Sequence, residues 1–418
     1  MNVAEAVLTR FDPRSESLLD DPYAMFKQYR DSDPVHWGLP SIPDIEGAWY
    51  LFRYDDNVSM LRDAEFFAND PGTVGRESPI PATFKGMAEY YQRWLGGRDG
   101  QDHRQLRSVL AKAFTPKRIG ALRPRIDEIT GSLLRGAIAR GEGRFDLIKE
   151  VAFPLPMAIV GDALGVKEED WPLFQKWAEA MSNAVERVSD PVAAAGGSDA
   201  MKGMVGYFAE LVERRRAEPV DDLLCAMILE ADDNGKPMSE HDVIAMATEL
   251  GFAGHETLVT GIGKAALGLM ADRDRWEEFK TLDDAGIDKA VDELLRWTCP
   301  VQRQRWRWVI NDTELGGRAM KRGDCVVSVL AAANRDPAHF DDPDRIDFSR
   351  RGAQHLTFGI GNHFCVGSQL ARLEMRAALV ELATQCPNME LTVETKDIPW
   401  RRDFGKPGPR QLPVIVGR

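Results

Sequence analysis

The amino-acid sequence predicts a mainly α-helical protein with small β-sheets and one long central helix. Residues 100–300 carry apolar side chains at helical spacing, broken at intervals by Pro and Gly. Short apolar runs within residues 30–70 predict strands. A helix-capping signal followed by a largely apolar stretch up to about residue 271 predicts the long helix.

Length and composition predict one large globular domain over residues 1–418. The chain has 28% charged and 44% hydrophobic residues, with no Ser/Gly-rich or Pro-rich linker and no internal repeat. Lys and Arg total 53 against 66 Asp and Glu, a net charge of −13 that argues against general nucleic-acid binding. Residues 1–21 have neither a signal-peptide core nor a membrane-spanning run, so we expect a cytoplasmic protein that does not enter the membrane.

The N-terminal part predicts two strands and a loop. Val35–Trp37 and Trp49–Phe52 have the composition of short strands. Residues 68–94 are rich in Gly and Pro and predict a long irregular loop, a type of segment that often carries function. Residues 193–198, between two amphipathic stretches, predict a second flexible segment. Together they would form the lid of a pocket.

The long central helix is predicted to begin after Ser239, which forms a capping box with Asp242, and to run to about Ala271. Its middle contains Gly251 and Gly254, although an interior glycine costs about 1 kcal/mol relative to alanine. Small residues there would let a planar ligand lie close to the helix. A local distortion would also free a backbone carbonyl.

An acid and an alcohol follow these glycines. Glu256 and Thr257 would relay protons between solvent and a reacting centre. The alternative is that Glu256 lies on a solvated helix face and that the Thr257 hydroxyl bonds back to its own helix.

Cys365 lies near the end of the segment Phe358–Gly367. This segment has the chemistry of a thiolate ligand loop for haem iron. Glycines early in the run, beginning with Gly359, allow a tight turn, and Gly367 allows close packing where a helix begins. A thiolate at a helix N-terminus is stabilised by the partial positive charge there. The alternative is a buried cysteine in a Gly-rich turn. The other cysteines have neither disulfide nor zinc spacing: Cys225, Cys299, Cys325 and Cys386.

Together these segments resemble the cytochrome P450 family of haem-thiolate monooxygenases over nearly the whole chain. Residues 358–367 match the family's haem loop, residues 253–257 its oxygen-activating segment, and residues 293–296 its Glu-x-x-Arg element. The resemblance implies the cytochrome P450 fold, with the long central helix over a haem b (iron protoporphyrin IX). It also implies that Cys365 is the iron ligand.

The resemblance further assigns residues that hold the cofactor. Haem propionates need cations or neutral donors near them, and the family pattern matches His103, Arg107, Arg307 and His363 to this role. Phe358, Gly359, Gly367 and Ala253 are expected to contact the haem. Glu293 and Arg296, three residues apart on one helix, would form a structural charge network with Arg345, with a surface ion pair as the alternative.

The implied reaction inserts one oxygen atom of O2 into a small organic substrate. Electrons would come from a ferredoxin and an NAD(P)H-dependent ferredoxin reductase, since the sequence has no nicotinamide motif and no iron–sulfur cysteine cluster. Arg104, Lys112, Arg372 and Arg376 would dock the ferredoxin, with ordinary solvated charges as the alternative. We expect a monomer. Competing interpretations are a peroxide-driven oxygenase and a noncatalytic haem-thiolate sensor or recruitment module.

Substrate-pocket residues follow from helix and strand register. In an extended strand Arg303, Arg305 and Arg307 would point the same way. Glu249 and Arg303 would then recognise a polar substrate, because an unpaired buried charge is costly. The alternatives are that they pair with each other, or that Arg303 and Arg305 point to solvent beyond a bend after Pro300. The predicted pocket residues are Glu249, Phe252, Ala253, Val301, Arg303 and Phe404.

Overall fold

The computed structural model describes residues 10–42, 45–77, 85–187, 190–352 and 354–417. The chain divides into two compact units. The sheet unit is drawn from residues 1–79, 301–365 and 402–407, and the helical unit from residues 80–300, 366–401 and 408–418. The organisation of the whole chain as one domain stays a prediction.

The described residues form helices, several of them in succession, and short strands. The first elements are α1 (Glu16–Asp20), α2 (Pro22–Ser32), β1 (Val35–Gly38), β2 (Ala48–Leu51), α3 (Tyr54–Arg62), β3 (Phe67–Ala68), α4 (Lys85–Tyr91), α5 (Gly100–Ala113), α6 (Pro116–Ala121), α7 (Arg123–Arg140), β4 (Arg144–Asp146), α8 (Pro154–Ala163) and α9 (Trp171–Glu186).

The second half of the chain contains the longest helices. The elements are α10 (Pro191–Ala217), α11 (Leu223–Leu229), α12 (Glu240–Ala271), α13 (Arg273–Lys280), α14 (Asp284–Thr298), β5 (Arg307–Val309), β6 (Thr313–Leu315), β7 (Arg318–Met320), β8 (Cys325–Ser328), α15 (Leu330–Ala333), α16 (Ser368–Gln385), β9 (Glu390–Leu391), β10 (Trp400–Arg401), β11 (Gly408–Pro409) and β12 (Pro413–Ile415). The predicted fold class, mainly α with small sheets, is confirmed.

A five-stranded sheet with the order β1-β2-β8-β5-β3 organises the sheet unit. β1 and β2 are antiparallel, with Val35 opposite Leu51, and β2 joins β8 in parallel. Both strands predicted from the N-terminal apolar runs are therefore confirmed. Beside the sheet lies an aromatic cluster that includes Phe11 and Phe404, whose ring centroids are 5.6 Å apart.

The central helix of the helical unit is α12, which spans 32 residues. The Ser239 hydroxyl accepts the Asp242 amide proton at 3.2 Å, so the predicted helix start at Ser239 and the predicted extent of the helix are confirmed, although the reciprocal bond of a capping box is not formed between these two described residues. Among the helices of the described ranges, none combines the length and apolar character that a membrane span requires.

The glycines of α12 allow other elements to approach it closely. A Cβ atom on Gly254 would lie 3.2 Å from Val160 of α8. One on Gly263 would lie 2.6 Å from Ile148 Cδ1 and 2.9 Å from Pro409 Cγ. Other protein elements therefore occupy the space beside Gly254 and Gly263, and the approach of a planar ligand to the middle of this helix stays a prediction.

Two predicted loops are more ordered than expected. Residues 193–198 lie inside α10, because Asp190 caps the helix by accepting the Val192 amide proton at 2.9 Å, so the predicted flexible segment is wrong. Residues 68–94 contain a 3₁₀ turn, Pro71–Val74, and the helix α4. Residues 78–84 of that predicted loop lie outside the described residues.

Candidate functional site

The loop that ends at Cys365 exposes its thiol. Cys365 is exposed, whereas Cys225, Cys299, Cys325 and Cys386 are buried. Burial raises the pKa of the Cys325 thiol to about 12 and that of Cys386 to about 11, which keeps both protonated. The buried-cysteine alternative therefore fails for Cys365, and its sulfur is accessible to an electrophile or a metal ion.

Two glycines fix the course of this ligand loop. Gly359 and Gly361 have φ angles of +68° and +78°, which side chains other than glycine rarely adopt. A Cβ atom on Gly361 would also lie 2.6 Å from the Leu61 carbonyl oxygen. The turn closes when the Cys365 amide donates to the Phe358 carbonyl at 2.9 Å. The backbone thus holds Cys365 in one place.

A second group of polar side chains lies near β3 in the same unit. Asn69 Nδ2 is 2.9 Å from His363 Nε2. β3 pairs antiparallel with β5, with Phe67 opposite Val309 and Ala68 opposite Trp308. Arg307, the first residue of β5, is buried. Asn69 therefore contacts one predicted propionate donor, His363, although Asn69 carries no sequence motif that would have marked it.

The other two predicted propionate donors lie in the helical unit. His103 and Arg107 are one turn apart on α5, so they share a helix face. His103 is buried and Arg107 is half-buried. Both belong to one rigid helix, as the i, i+4 spacing predicted.

Part of the α12 surface is accessible in the middle of the helix. Ala253 is exposed and Thr257 is half-buried, whereas His255 and Leu258 are buried. The Thr257 hydroxyl donates to the Ala253 carbonyl at 2.9 Å, so the alternative in which it bonds back to its own helix is the observed one. The helix is continuous here, and the predicted distortion is not present.

Glu256 forms an ion pair that the sequence did not reveal. Arg401 Nη1 lies 3.1 Å from Glu256 Oε1, and Arg401 Nη2 donates to Thr260 Oγ1 at 2.9 Å. The Glu256 and Arg401 side chains are only 13% and 14% exposed. The solvated-face alternative for Glu256 is therefore wrong.

Glu249 binds backbone rather than presenting an open charge. Its two carboxylate oxygens accept the amide protons of Leu95 at 2.7 Å and Gly96 at 3.2 Å. The preceding Trp94 donates its indole proton to Thr248 at 3.2 Å and packs its ring 5.3 Å from that of Phe252. Glu249 therefore holds residues 94–96 on α12. A substrate contact at Glu249 or Phe252 stays a prediction.

The predicted cationic strand edge at residues 303–307 is wrong. β5 begins only at Arg307, and residues 301–306 are not strand, so the alternation of a strand does not apply to Arg303 and Arg305. The Arg303 guanidinium lies 5.0 Å from the centre of the Trp306 ring, and its Nη1 donates to the Gln304 carbonyl at 3.3 Å.

The remaining pocket candidates of the sheet unit differ in exposure. Val301 is half-buried. Phe404 is only 7% exposed and packs against the rings of Phe11, Phe26 and Tyr50. Aromatic packing therefore accounts for the burial of Phe404, and a substrate contact at either residue stays a prediction.

Glu293 and Arg296 form a buried ion pair with two hydrogen bonds of 2.7 Å each. The surface-pair alternative is wrong, since both side chains are almost fully buried. Arg345 is exposed in the sheet unit, and its membership of this network stays a prediction.

Three of the predicted ferredoxin-docking cations already have acidic partners. Arg372 lies 2.7 Å from Asp292, and the buried Arg376 lies 2.6 Å from Asp284 and 3.0 Å from Asp288. Lys112 lies 3.2 Å from Asp233 and donates to the Ala231 carbonyl at 2.7 Å, while Arg104 is exposed. Docking of a ferredoxin at these residues stays a prediction.

The chemistry of these groups fits a haem. An accessible cysteine sulfur held by a glycine turn suits an iron ligand. Two His and two Arg residues suit the carboxylates of the propionates. The small exposed side chain of Ala253 suits the approach of a flat ring.

Comparisons with known proteins point to one family. The family model described as Cytochrome P450 matches residues 287–392. The polyketide biosynthesis cytochrome P450 PksS of Bacillus subtilis is 32% identical over 409 residues, which is 98% of this chain and 99% of that protein. The 6-deoxyerythronolide B hydroxylase of Saccharopolyspora erythraea is 33% identical over 409 residues, 96% of this chain and 98% of that protein.

Solved structures give the same result. The structure of PksS superposes with a TM-score of 0.87 and 32% identity, covering 98% of this chain and 100% of that one. P450BioI in complex with a hexadec-9Z-enoic acid ligated acyl carrier protein superposes with a TM-score of 0.84 and 28% identity, covering 96% and 100%.

Proposed function

The chain belongs to the cytochrome P450 family and is a monooxygenase of the bacterial type, and we propose that it oxidises a small organic molecule of the polyketide class in a biosynthetic pathway. One observation carries this proposal. The chain is similar over nearly its full length to relatives whose names place them in polyketide biosynthesis or call them hydroxylases. Hydroxylation is the reaction that we propose first. In this chemistry the placement of the substrate decides which product forms.

The proposed cofactor is haem b, and the Cys365 thiolate would bind its iron. When bound, the haem activates O2 so that one oxygen atom enters a substrate C–H bond and the other leaves as water. His363, Arg307, His103 and Arg107 would offset the charge of the propionates, since buried carboxylates need cationic or neutral donors. The proposed contacts with the ring are Phe358, Gly359, Gly367 and Ala253.

Glu256 and Thr257 are the proposed proton relay. The Glu256 carboxylate would take up a proton from solvent and pass it to the half-buried Thr257 hydroxyl, which would release its own proton to the reacting centre as it accepts this one. The hydrogen bond from Thr257 to the Ala253 carbonyl holds the hydroxyl oxygen in place with its acceptor capacity available. The ion pair with Arg401 fixes the position of the Glu256 carboxylate.

Electrons are proposed to come from a ferredoxin and its NAD(P)H-dependent reductase. This partner follows from the family resemblance and from the lack of any nicotinamide or iron–sulfur motif in the sequence. We also propose that the protein acts as a monomer in the cytoplasm.

A second candidate substrate is an acyl chain attached to an acyl carrier protein. The observation that favours it is the similarity to P450BioI, whose structure contains an acyl carrier protein carrying a hexadec-9Z-enoic acid. The two candidates differ in whether the substrate is free in solution or attached to a protein.

The first experiment is the visible spectrum of the dithionite-reduced protein with carbon monoxide. The wild type should show the long-wavelength Soret band of thiolate ligation, and Cys365→Ser should lose it. Cys225→Ser, which alters a buried cysteine, is the matched control and should keep it. A wild-type band at the histidine-ligated position would contradict the assignment of Cys365.

The second experiment identifies the substrate. Polyketide lactones, free fatty acids and acyl carrier protein loaded with a fatty acid are titrated while the high-spin shift of the haem is followed. Turnover is then compared with NADPH plus ferredoxin and reductase, or with hydrogen peroxide alone. Turnover only with peroxide would establish the peroxide-driven alternative, and binding without product under either condition would establish the sensor alternative.

A further inference from the structure

We infer that Arg401 is a positioning residue for the oxygenation reaction, because it fixes the Glu256 carboxylate on the face of α12 that also carries Thr260. This inference rests on the proton-relay role proposed for Glu256. Arg401 lies outside every motif that the sequence analysis identified, and 145 residues separate it from Glu256.

The spacing of the two acceptors on α12 matches the donors of the Arg401 guanidinium. Glu256 and Thr260 are four residues apart, so their side chains lie on the same face of α12. Arg401 Nη1 binds Glu256 at 3.1 Å while Nη2 binds Thr260 at 2.9 Å. A planar guanidinium presents several donors in fixed directions, so two simultaneous contacts restrict the Glu256 carboxylate to one orientation.

The backbone of Arg401 is itself held against α12. Arg401 belongs to β10 and is paired with Gly408 of β11. A Cβ atom on Gly408 would lie only 2.9 Å from Thr260 Cγ2. The two-stranded sheet therefore lies directly on the helix at Thr260, and the side chain of Arg401 reaches Glu256 from a fixed starting point.

The charge of the Glu256 carboxylate also ties it to Arg401. Glu256 and Arg401 are largely buried, and a carboxylate removed from water needs a compensating cation. The nearby titratable groups of α12 have other partners: His255 Nε2 lies 2.8 Å from the Phe153 carbonyl oxygen, and Lys264 donates to the Thr298 carbonyl. Arg401 is thus a cation that contacts Glu256 directly.

The inference predicts a specific defect in Arg401→Gln. Coupled turnover, measured as product formed per NADPH consumed, should fall about ten- to hundredfold, a part of the about 10²- to 10⁴-fold that a positioned proton-transfer group contributes. Hydrogen peroxide should be released in place of product. Turnover driven by added peroxide, which needs less proton delivery, should stay near the wild-type value. A crystal structure of the variant should show the Glu256 side chain away from Thr260.

Three further variants complete the test. Arg401→Lys keeps the charge but loses the two-point contact, so it should recover part of the coupling. Thr260→Val keeps the ion pair but removes one of the two anchors, so it should show a smaller loss. The matched control is Arg402→Gln, which breaks ion pairs with Glu16 and Asp20 and should keep wild-type coupling. These substitutions keep the test decisive if Arg401→Gln fails to fold.

The double variant separates failure of this inference from failure of the proposed relay. If Arg401 acts through Glu256, Arg401→Gln should add no further loss to Glu256→Gln. Additive losses, or an Arg401→Gln enzyme with normal coupling beside a defective Glu256→Gln, would overturn the positioning role alone. Normal coupling in Glu256→Gln would overturn the relay and the positioning role together.

Discussion

Arg296 and Glu293 meet through two parallel hydrogen bonds, from Nε to Oε2 and from Nη2 to Oε1, each 2.7 Å long. The two side chains are 1% and 4% exposed. In such a buried pair each charge depends on its partner, because removal of one leaves the other without compensation in a medium of low dielectric constant. The three-residue spacing on α14 makes the pair local.

We therefore expect Glu293→Gln to lower the free energy of unfolding by about 3–5 kcal/mol, the usual cost of an unpaired buried charge. Urea unfolding followed by circular dichroism measures this loss. The adjacent Asp292→Asn is the control, since Asp292 pairs with Arg372 at a partly exposed site and should cost no more than about 1 kcal/mol. Similar losses in both variants would contradict the distinction between the buried and the surface pair.

We predict that a side chain at Gly263 lowers the stability of the folded protein. Gly263→Ala places a Cβ atom 2.9 Å from the rigid ring of Pro409, and overpacking of this kind costs about 1–3 kcal/mol. Alanine gains about 1 kcal/mol in helix propensity, which offsets only part of that cost. A thermal unfolding curve should therefore show a lower Tm.

Gly206 on α10 is the matched control for this prediction. It is exposed, and no atom lies within 4 Å of the position of an added Cβ. Gly206→Ala should raise the stability by up to about 1 kcal/mol through helix propensity alone. If both variants changed Tm in the same direction, contact with Pro409 would not be the cause.

Glu249 is predicted to hold the backbone of Leu95 and Gly96 on the central helix. Glu249→Gln leaves one neutral acceptor in place of two charged ones, which should lower the free energy of local opening by about 2 kcal/mol. Hydrogen exchange of these two amides, measured by NMR or mass spectrometry, should accelerate by about thirtyfold. Thr248→Val, which removes only the neutral bond to Trp94, should have a smaller effect. Unchanged exchange in Glu249→Gln would show that the carboxylate does not hold this segment.

Glu374 on α16 is predicted to make stability depend on pH. Its side chain is 2% exposed, and its Oε2 atom has no hydrogen-bond partner among the described residues. Burial raises the pKa of this carboxyl well above its ordinary value of 4.5. The folded protein therefore keeps a proton that the unfolded chain releases, and stability falls as the pH rises from about 4.5 through the raised native value.

Glu374→Gln removes this titration. Relative to the variant, the wild type should lose up to about 1.4 kcal/mol per pH unit within that window. Denaturation curves between pH 5 and pH 8 measure the difference, with the exposed Glu390→Gln as the control. Parallel pH dependences of the wild type and Glu374→Gln would show that the carboxyl does not titrate as its burial requires.

Features encoded by neighbouring residues were predictable from the sequence. The helix cap at Ser239 and the extent of α12 depend on contacts within the helix, and both are confirmed. The ligand loop at Cys365 also depends on its own glycines, whose positive φ angles appear as expected. The family and its monooxygenase activity followed from these local patterns and are confirmed by the comparisons.

Features that depend on distant partners were not predictable. Arg303 and Arg305 have the composition of a strand edge, but β5 has paired neighbours only from Arg307 onward. Residues 193–198 contain two glycines, yet the Asp190 cap and burial of Ala194 and Gly197 stabilise a helix there. The partner of Glu256 comes from a strand 145 residues later, a distance over which no local pattern operates.

The two-stranded sheet on α12 also has a consequence for the order of events during synthesis. A ribosome releases the chain from its N-terminal end, so domains and their helices begin to fold before later residues have been made. The central helix is complete in the nascent chain at Ala271, but Arg401 and Gly408 emerge more than a hundred residues later. Until then Glu256 has no counter-charge from this strand, and it remains solvated on a growing chain. The acid of the proposed relay is therefore among the last parts of the central helix to reach its final environment.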